Sequence, residues 1–125
     1  MTATFLLVAA GGAIGASARH AVNLTALRLF GPGFPVATLT VNVIGSLLMG
    51  LLVAWLGLRG TTYQAAFLMT GLLGGFTTFS AFSVDALVLI DRGQTGLALA
   101  YILGSVSLSL LAAFAGMAIG RGILA

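Results

Sequence analysis

The chain has 125 residues, of which 60% are hydrophobic, and its charged side chains are five basic and two acidic residues. An average soluble domain is about one quarter charged, so this composition excludes an ordinary soluble domain and predicts a membrane protein. The net charge of +3 forms no basic patch, and we expect no nucleic-acid partner. Because the chain has no cysteine, disulfides and thiolate metal sites are excluded.

Four apolar stretches predict four transmembrane helices, numbered 1 to 4 in chain order, at about 2–27, 35–57, 63–90 and 96–120. Each is long enough for the ~20 residues that a helix needs to cross the hydrocarbon. Short turns rich in glycine and proline separate them. We therefore expect residues 1–125 to form a single four-helix transmembrane domain in the inner cell membrane.

Helix 1 combines small residues with a charge. Glycines at positions 11, 12 and 15 and the alanine at 16 form small-xxx-small pairs, which predict close helix packing. Arg19 falls inside the apolar segment, where a charge is by default functional or paired with backbone carbonyls; it could also extend toward the interface. His20 is expected at the interface.

Helix 2 carries a polar stripe. Thr38, Asn42 and Ser46 recur every four residues and so share one face of the helix. A lone asparagine in a membrane helix is often interhelical glue worth about 1 kcal/mol. As part of a stripe, Asn42 is also a candidate for lining an ion pathway.

Helix 3 is predicted to break near the membrane midplane, within the sequence GLLGGFTTFSAFS at 71–83. The pair Gly74–Gly75 costs about 2 kcal/mol of helix propensity relative to two alanines. The threonines and serines that follow can satisfy the freed backbone groups. Carbonyls at the end of a half-helix can coordinate small cations.

Beyond this break, Phe79 and Phe82 lie at i and i+3, and Ser80 and Ser83 lie on an adjacent face. Such an aromatic pair is usually packing, yet ring edges carry partial positive charge and can accompany an anion. Asp85 is expected at a vestibule, where it could pair with an arginine.

In helix 4, Tyr101, Ser105 and Ser109 repeat the four-residue spacing. Helices 2, 3 and 4 thus each present a stripe of hydroxyl or amide groups. These groups can donate hydrogen bonds to anions, which favours a path for an anion.

The loop arginines are balanced, with Arg28 and Arg92 on one side of the membrane and Arg59 and Arg121 on the other. The positive-inside rule reads the difference in Lys and Arg between the sides, and here that difference is zero. Either one dominant helix sets the orientation, or the protein inserts both ways and forms an antiparallel dimer. We favour the antiparallel dimer.

These residues resemble the Fluc (CrcB) family of fluoride channels over the whole chain. The matching motifs are GGAIGASAR at 11–19, NVIG at 42–45 and GLLGGFTTFSAF at 71–82, of which the last is highly specific. The resemblance implies an all-α membrane protein that forms an antiparallel, dual-topology homodimer in the lipid bilayer. It also implies two pores that conduct fluoride passively and selectively.

The resemblance also implies roles for individual residues. Arg19 would lie at a pore entrance, and the carbonyls of Gly74 and Thr77 would enclose a central structural sodium ion. The fluoride pore would be lined by Asn42, Thr78, Phe79, Ser80, Phe82, Ser83 and Tyr101. The sequence departs from the family at Ala81, where a threonine is common, and at Leu73, where a cysteine often stands, so one hydroxyl of the polar track is missing.

Three other functions compete with a fluoride channel. A small multidrug-resistance-type cation/proton exporter is similarly short, but it needs a carboxylate in helix 1, and Asp85 is the only membrane-embedded acid here. A packing subunit without transport would use the polar residues as helix glue. We do not expect an enzyme, because the single histidine and the two aspartates form no credible acid/base pair.

Overall fold

The computed structural model describes residues 1–124, without the side chains at 58, 59 and 124. Over this range all regular structure is helical, and five helices follow one another: α1 (Thr2–Phe30), α2 (Val36–Arg59), α3 (residues 62–76), α4 (Ser80–Asp91) and α5 (Thr95–Leu124). Within α3, Thr62–Ala65 is α-helix, Ala66–Leu73 is π-helix and Gly74–Phe76 is α-helix again.

The four predicted transmembrane stretches are confirmed. Within the described part of the chain, four helical spans are long and apolar enough to cross a membrane: Thr2–Phe30, Val36–Gly57, Thr62–Asp91 and Thr95–Ile123. The third span contains both α3 and α4, and α5 is the predicted helix 4. The boundaries differ from the predicted ones by at most three residues.

Local hydrogen bonds explain two of these ends. A capping box begins α3, in which the Thr61 hydroxyl accepts from the Gln64 amide while the Gln64 side chain accepts from the Thr61 amide. After α4, Gly93 adopts φ 79° and donates to the carbonyl of Ile90. Gln94 donates to the carbonyl of Leu89, which completes a Schellman motif.

The predicted break in the third span is present, but it lies further along the chain than expected. The backbone leaves the helix at residues 77–79, where Thr77 is extended with φ −85° and ψ 160°. Gly74 is helical, with φ −61° and ψ −37°. The prediction that Gly74–Gly75 form the break themselves is therefore wrong, and the change of direction between α3 and α4 is slight.

The glycines of α3 serve close packing against α1 instead. A Cβ atom on Gly75 would lie 2.7 Å from the carbonyl oxygen of Gly12, and one on Gly15 would overlap the carbonyl oxygen of Leu72. Two backbones can approach this closely only where side chains are absent. The packing interpretation of the helix 1 glycines is thus confirmed, and it extends to Gly75.

A second seam of the same kind joins α2 to α5. A Cβ atom on Gly50 would overlap the carbonyl oxygen of Ala113, and one on Gly116 would overlap that of Leu47. The two seams fix α1 against α3 and α2 against α5, and Thr78, just beyond the end of α3, is hydrogen-bonded to Asn42 of α2.

We predict that Gly15→Ala destabilises the protein by about 2 kcal/mol, because a rigid carbonyl, and not a flexible side chain, occupies the space of the new methyl group. The matched control is Gly104→Ala, where a Cβ atom would meet nothing within 4 Å. The measurement is the thermal unfolding midpoint in detergent. Equal midpoints for Gly15→Ala and the unmodified protein would contradict the tight seam.

Candidate anion pathway

A groove of about 420 Å³ lies between α2, the interrupted segment and α5. It brings together four of the residues predicted to line an anion path: Asn42, Thr78, Phe79 and Phe82. Serines of the predicted stripes also line it, namely Ser46, Ser105 and Ser109. None of the residues that line this groove is charged, so it combines polar donors with aromatic rings and no fixed ion.

Asn42 holds the interrupted backbone in place. Its amide nitrogen donates to the carbonyl of Thr78 at 2.9 Å, and its amide oxygen accepts from the Thr78 N–H at 2.8 Å. One side chain therefore satisfies both backbone groups of a residue that has left the helix. Because a freed backbone group is costly away from water, this pair of bonds makes the interruption possible.

Most hydroxyls near the interruption are also used by the backbone. Thr77 donates to the carbonyl of Leu73 at 2.9 Å, and Ser83 donates to the carbonyl of Phe79 at 3.0 Å. The Thr78 hydroxyl accepts from the Ala81 amide at 3.1 Å. These bonds shape the first turn of α4.

The remaining predicted hydroxyl of this segment belongs to Ser80, whose oxygen lies 3.3 Å from the Thr78 hydroxyl. Ser80 is exposed and does not line the groove, and neither does Ser83. In a single chain these two serines therefore lie outside the candidate path, and their role in the pore stays a prediction.

Ser105 differs from the other hydroxyls. Its side chain is only 4% exposed and lines the groove, yet its oxygen has no hydrogen-bond partner among the described residues. Buried polar atoms are almost always paired, so each exception needs an explanation. The oxygen atom itself is buried, so the side chain would have to turn its hydroxyl toward the groove before it could donate to a bound ion.

The two predicted phenylalanines lie together, with ring centroids 5.6 Å apart and planes tilted by 51°. Phe82 is 9% exposed and belongs to the core, whereas Phe79 is 79% exposed at the edge of the groove. Both rings line the groove, and the edges of aromatic rings carry partial positive charge. This pair can accompany an anion without binding it tightly.

Tyr101 lies outside this groove in a single chain. It is 1% exposed, packs in the core cluster with Phe82, and donates from its hydroxyl to Asp85 Oδ2 at 3.1 Å. The partner of Asp85 is thus this tyrosine, and not the arginine that the sequence suggested. The role of Tyr101 as a pore-lining residue stays a prediction.

Arg19 lies at a second opening, a cavity of about 210 Å³ that also contains His20 and Asp85. Its Nε atom donates to the carbonyl of Gly75 at 3.1 Å. The sequence left open whether Arg19 pairs with a backbone carbonyl, and in the structure it does. The bond ties α1 to the end of α3. A neighbouring cavity of about 220 Å³ shares Thr38 and Asp85 and extends to Arg92.

The residues predicted to hold a sodium ion both line the groove. Gly74 is exposed, and Thr77 is extended just beyond the end of α3. The last carbonyls of a helix lack intrahelical donors, and carbonyl oxygens are ligands that hard cations accept. The chemistry of this position therefore fits a small cation.

Comparison with known proteins gives one consistent result. Residues 6–117 match the family described as CrcB-like protein, Camphor Resistance (CrcB). Relatives named "Fluoride-specific ion channel FluC" are 60% identical in Cereibacter sphaeroides and 57% identical in Paracoccus denitrificans, each over 100% of both chains. A third, from Rhodopseudomonas palustris, is 50% identical over 96% of this chain and 98% of the relative.

We predict that Asn42→Ala destabilises the interrupted segment, because it leaves the N–H and the carbonyl of Thr78 without partners at about 1–3 kcal/mol each. Hydrogen exchange at the amides of residues 77–79 measures this directly. Ser46→Ala, one turn further along the same face, is the control; equal exchange in Asn42→Ala and in this control would show that Asn42 does not hold the segment.

Proposed function

The chain belongs to the CrcB-like protein family, and from this we propose that it is a fluoride-selective channel that conducts fluoride passively and lowers its cytoplasmic concentration. Its relatives at 50–60% identity carry the name of a fluoride-specific channel. It is a multi-pass protein of the bacterial inner membrane. The relatives are named as channels, which are not enzymes.

The observation that best supports conduction is the unpartnered hydroxyl of Ser105 in an uncharged polar groove. Fluoride is small and strongly hydrated, so it leaves water only where donors replace its hydration shell. Conduction also requires binding that is weak enough for the ion to leave. A free hydroxyl with aromatic ring edges nearby meets both requirements, because the groove supplies donors without a fixed cation.

The proposal includes an antiparallel homodimer with two pores. The groove is open at the edge where Phe79 is exposed, and a second chain would close it. A two-fold axis repeats every feature of one chain in the other, so one groove per chain becomes two pores per dimer. The zero difference in loop arginines favours an antiparallel arrangement of the two chains.

A structural sodium ion at the centre of the dimer completes the proposal. One chain offers only two carbonyls for this ion, those of Gly74 and Thr77 at the end of α3, which are fewer than the oxygen ligands that surround a hard cation. An antiparallel partner would bring a second set to the same place. The ion would then join the two interrupted spans.

The alternative of a small multidrug-resistance-type exporter has little support. The family match covers most of the chain, and the one membrane-embedded carboxylate, that of Asp85, already accepts a hydrogen bond from the Tyr101 hydroxyl. The packing-subunit alternative does not account for a buried hydroxyl left free at Ser105.

We predict that purified protein in liposomes releases internal fluoride when an ionophore balances the charge, and that it does not release chloride under the same conditions. Ser105→Ala removes the free donor and should lower the fluoride flux by roughly tenfold or more, the effect of losing a hydrogen bond to a charged group. A fluoride electrode gives both rates.

Ser107→Ala is the matched control for this experiment, since Ser107 is exposed on the same helix and does not line the groove. Its flux should equal that of the unmodified protein. Efflux no faster than from protein-free liposomes would show that the proposed function is wrong. Normal flux in Ser105→Ala would instead remove Ser105 from the path while leaving the channel intact.

We predict dual topology as well. The chain has no cysteine, so a single cysteine added after the C-terminus can be labelled selectively. In sealed membrane vesicles, an impermeant maleimide should label roughly half of the chains, because the arginine balance favours neither orientation. Labelling of nearly all or nearly none of the chains would mean that the protein inserts in one direction.

A further inference from the structure

A chain of aromatic contacts leads from the first loop to the groove. Phe34, in the loop between α1 and α2, makes an edge contact with Tyr101 at 5.5 Å between centroids and 87° between planes. Tyr101 lies 5.2 Å from Phe82, which in turn lies 5.6 Å from Phe79. Four rings thus connect a loop outside the hydrocarbon to the pair at the groove.

The backbone around Phe34 is unusually well fixed for a loop. Pro35 has φ −78° and ψ 69°, and the Val36 amide donates to the carbonyl of Phe34 at 2.8 Å. These values define an inverse γ-turn, and proline also restricts the residue that precedes it. In addition, Arg92 Nη1 donates to the carbonyl of Pro32 at 3.3 Å, which ties the first loop to the third.

Phe82 has two aromatic neighbours, Tyr101 and Phe79. It packs with Tyr101 in the core, and it lines the groove next to Phe79. The Tyr101 ring is itself fixed at its hydroxyl by Asp85 and at its face or edge by the aromatic neighbours. If Phe34 is removed, Tyr101 can turn about its hydroxyl, and Phe82 loses its support.

We propose that Phe34 is a positioning residue of the fluoride path, which holds the Phe82 ring in its groove-facing orientation through Tyr101. This inference rests on the proposed function, because it concerns the efficiency of conduction. Phe34 itself lines the outer cavity of about 220 Å³ and not the groove. It therefore acts on the ion only through the rings that follow it.

The test is a double-mutant cycle on fluoride efflux from liposomes. Phe34→Leu keeps an apolar side chain but removes the ring, and it should lower the flux by about threefold to tenfold, as expected for the loss of one aromatic pair. In a Phe82→Ile background the same change should lower the flux by less than about twofold, because residues that act through one another are not additive. Phe34→Tyr, which keeps the ring, should restore the flux.

Two further variants make the outcome decisive. Phe30→Leu is the same change at a ring that is 65% exposed, and it should leave the flux unchanged. Pro35→Ala keeps the Phe34 ring but releases the turn, and it should also lower the flux. If the Phe34→Leu protein is not monodisperse, Pro35→Ala takes its place in the test. Equal reductions in both backgrounds, or normal flux in Phe34→Leu, would overturn the inference. Absence of flux in the unmodified protein would overturn the proposed function instead.

Discussion

The two hydrogen bonds between Asn42 and Thr78 are the interaction on which the candidate path depends. Lipid hydrocarbon offers no hydrogen-bond partners, so a helix can open at membrane depth only where protein groups or a water-filled cavity replace both the lost donor and the lost acceptor. A primary amide supplies one of each from a single side chain. With these bonds in place, Thr77 can be extended and α4 can begin anew at Ser80. The interruption then separates α3, which packs on α1, from α4, which carries the two phenylalanines of the groove.

The hydroxyls near this interruption divide into two groups with different tasks. Those of Thr77, Thr78 and Ser83 bond to the backbone and so stabilise the irregular segment. That of Ser105, on a regular helix, is left without a partner among the described residues. This division is consistent with conduction, because groups that hold the structure should not also have to rearrange around each passing ion. A rigid frame with a few free donors gives weak, reversible binding.

The sequence predicts the number and limits of the helices well, because hydropathy and turn residues are local properties. It places the start of the interruption at Gly74, three residues before Thr77, because helix propensity alone assigns the glycine pair to the break. Position 75 requires glycine for another reason, which is the close approach of α1 at Gly12. The prediction for helix 4 is limited in a similar way, because it treats residues four apart as lying on one face. Side chains four residues apart are rotated by about 40° on a helix of 3.6 residues per turn. Ser109 and Ser105 therefore reach the groove, while Tyr101, further around, turns into the core.

The polar atoms of the groove, and not the exposed phenylalanine, favour the proposed partner chain. In lipid an exposed ring such as Phe79 carries little penalty, because the acyl chains are as apolar as a protein core. The groove beside it is different, since the Asn42 amide and the Ser105 hydroxyl line it. Hydrocarbon in this groove would leave polar groups without partners at a cost of several kcal/mol each. The proposed second copy of the chain would cover this face, leave room for a hydrated path and so remove the conflict.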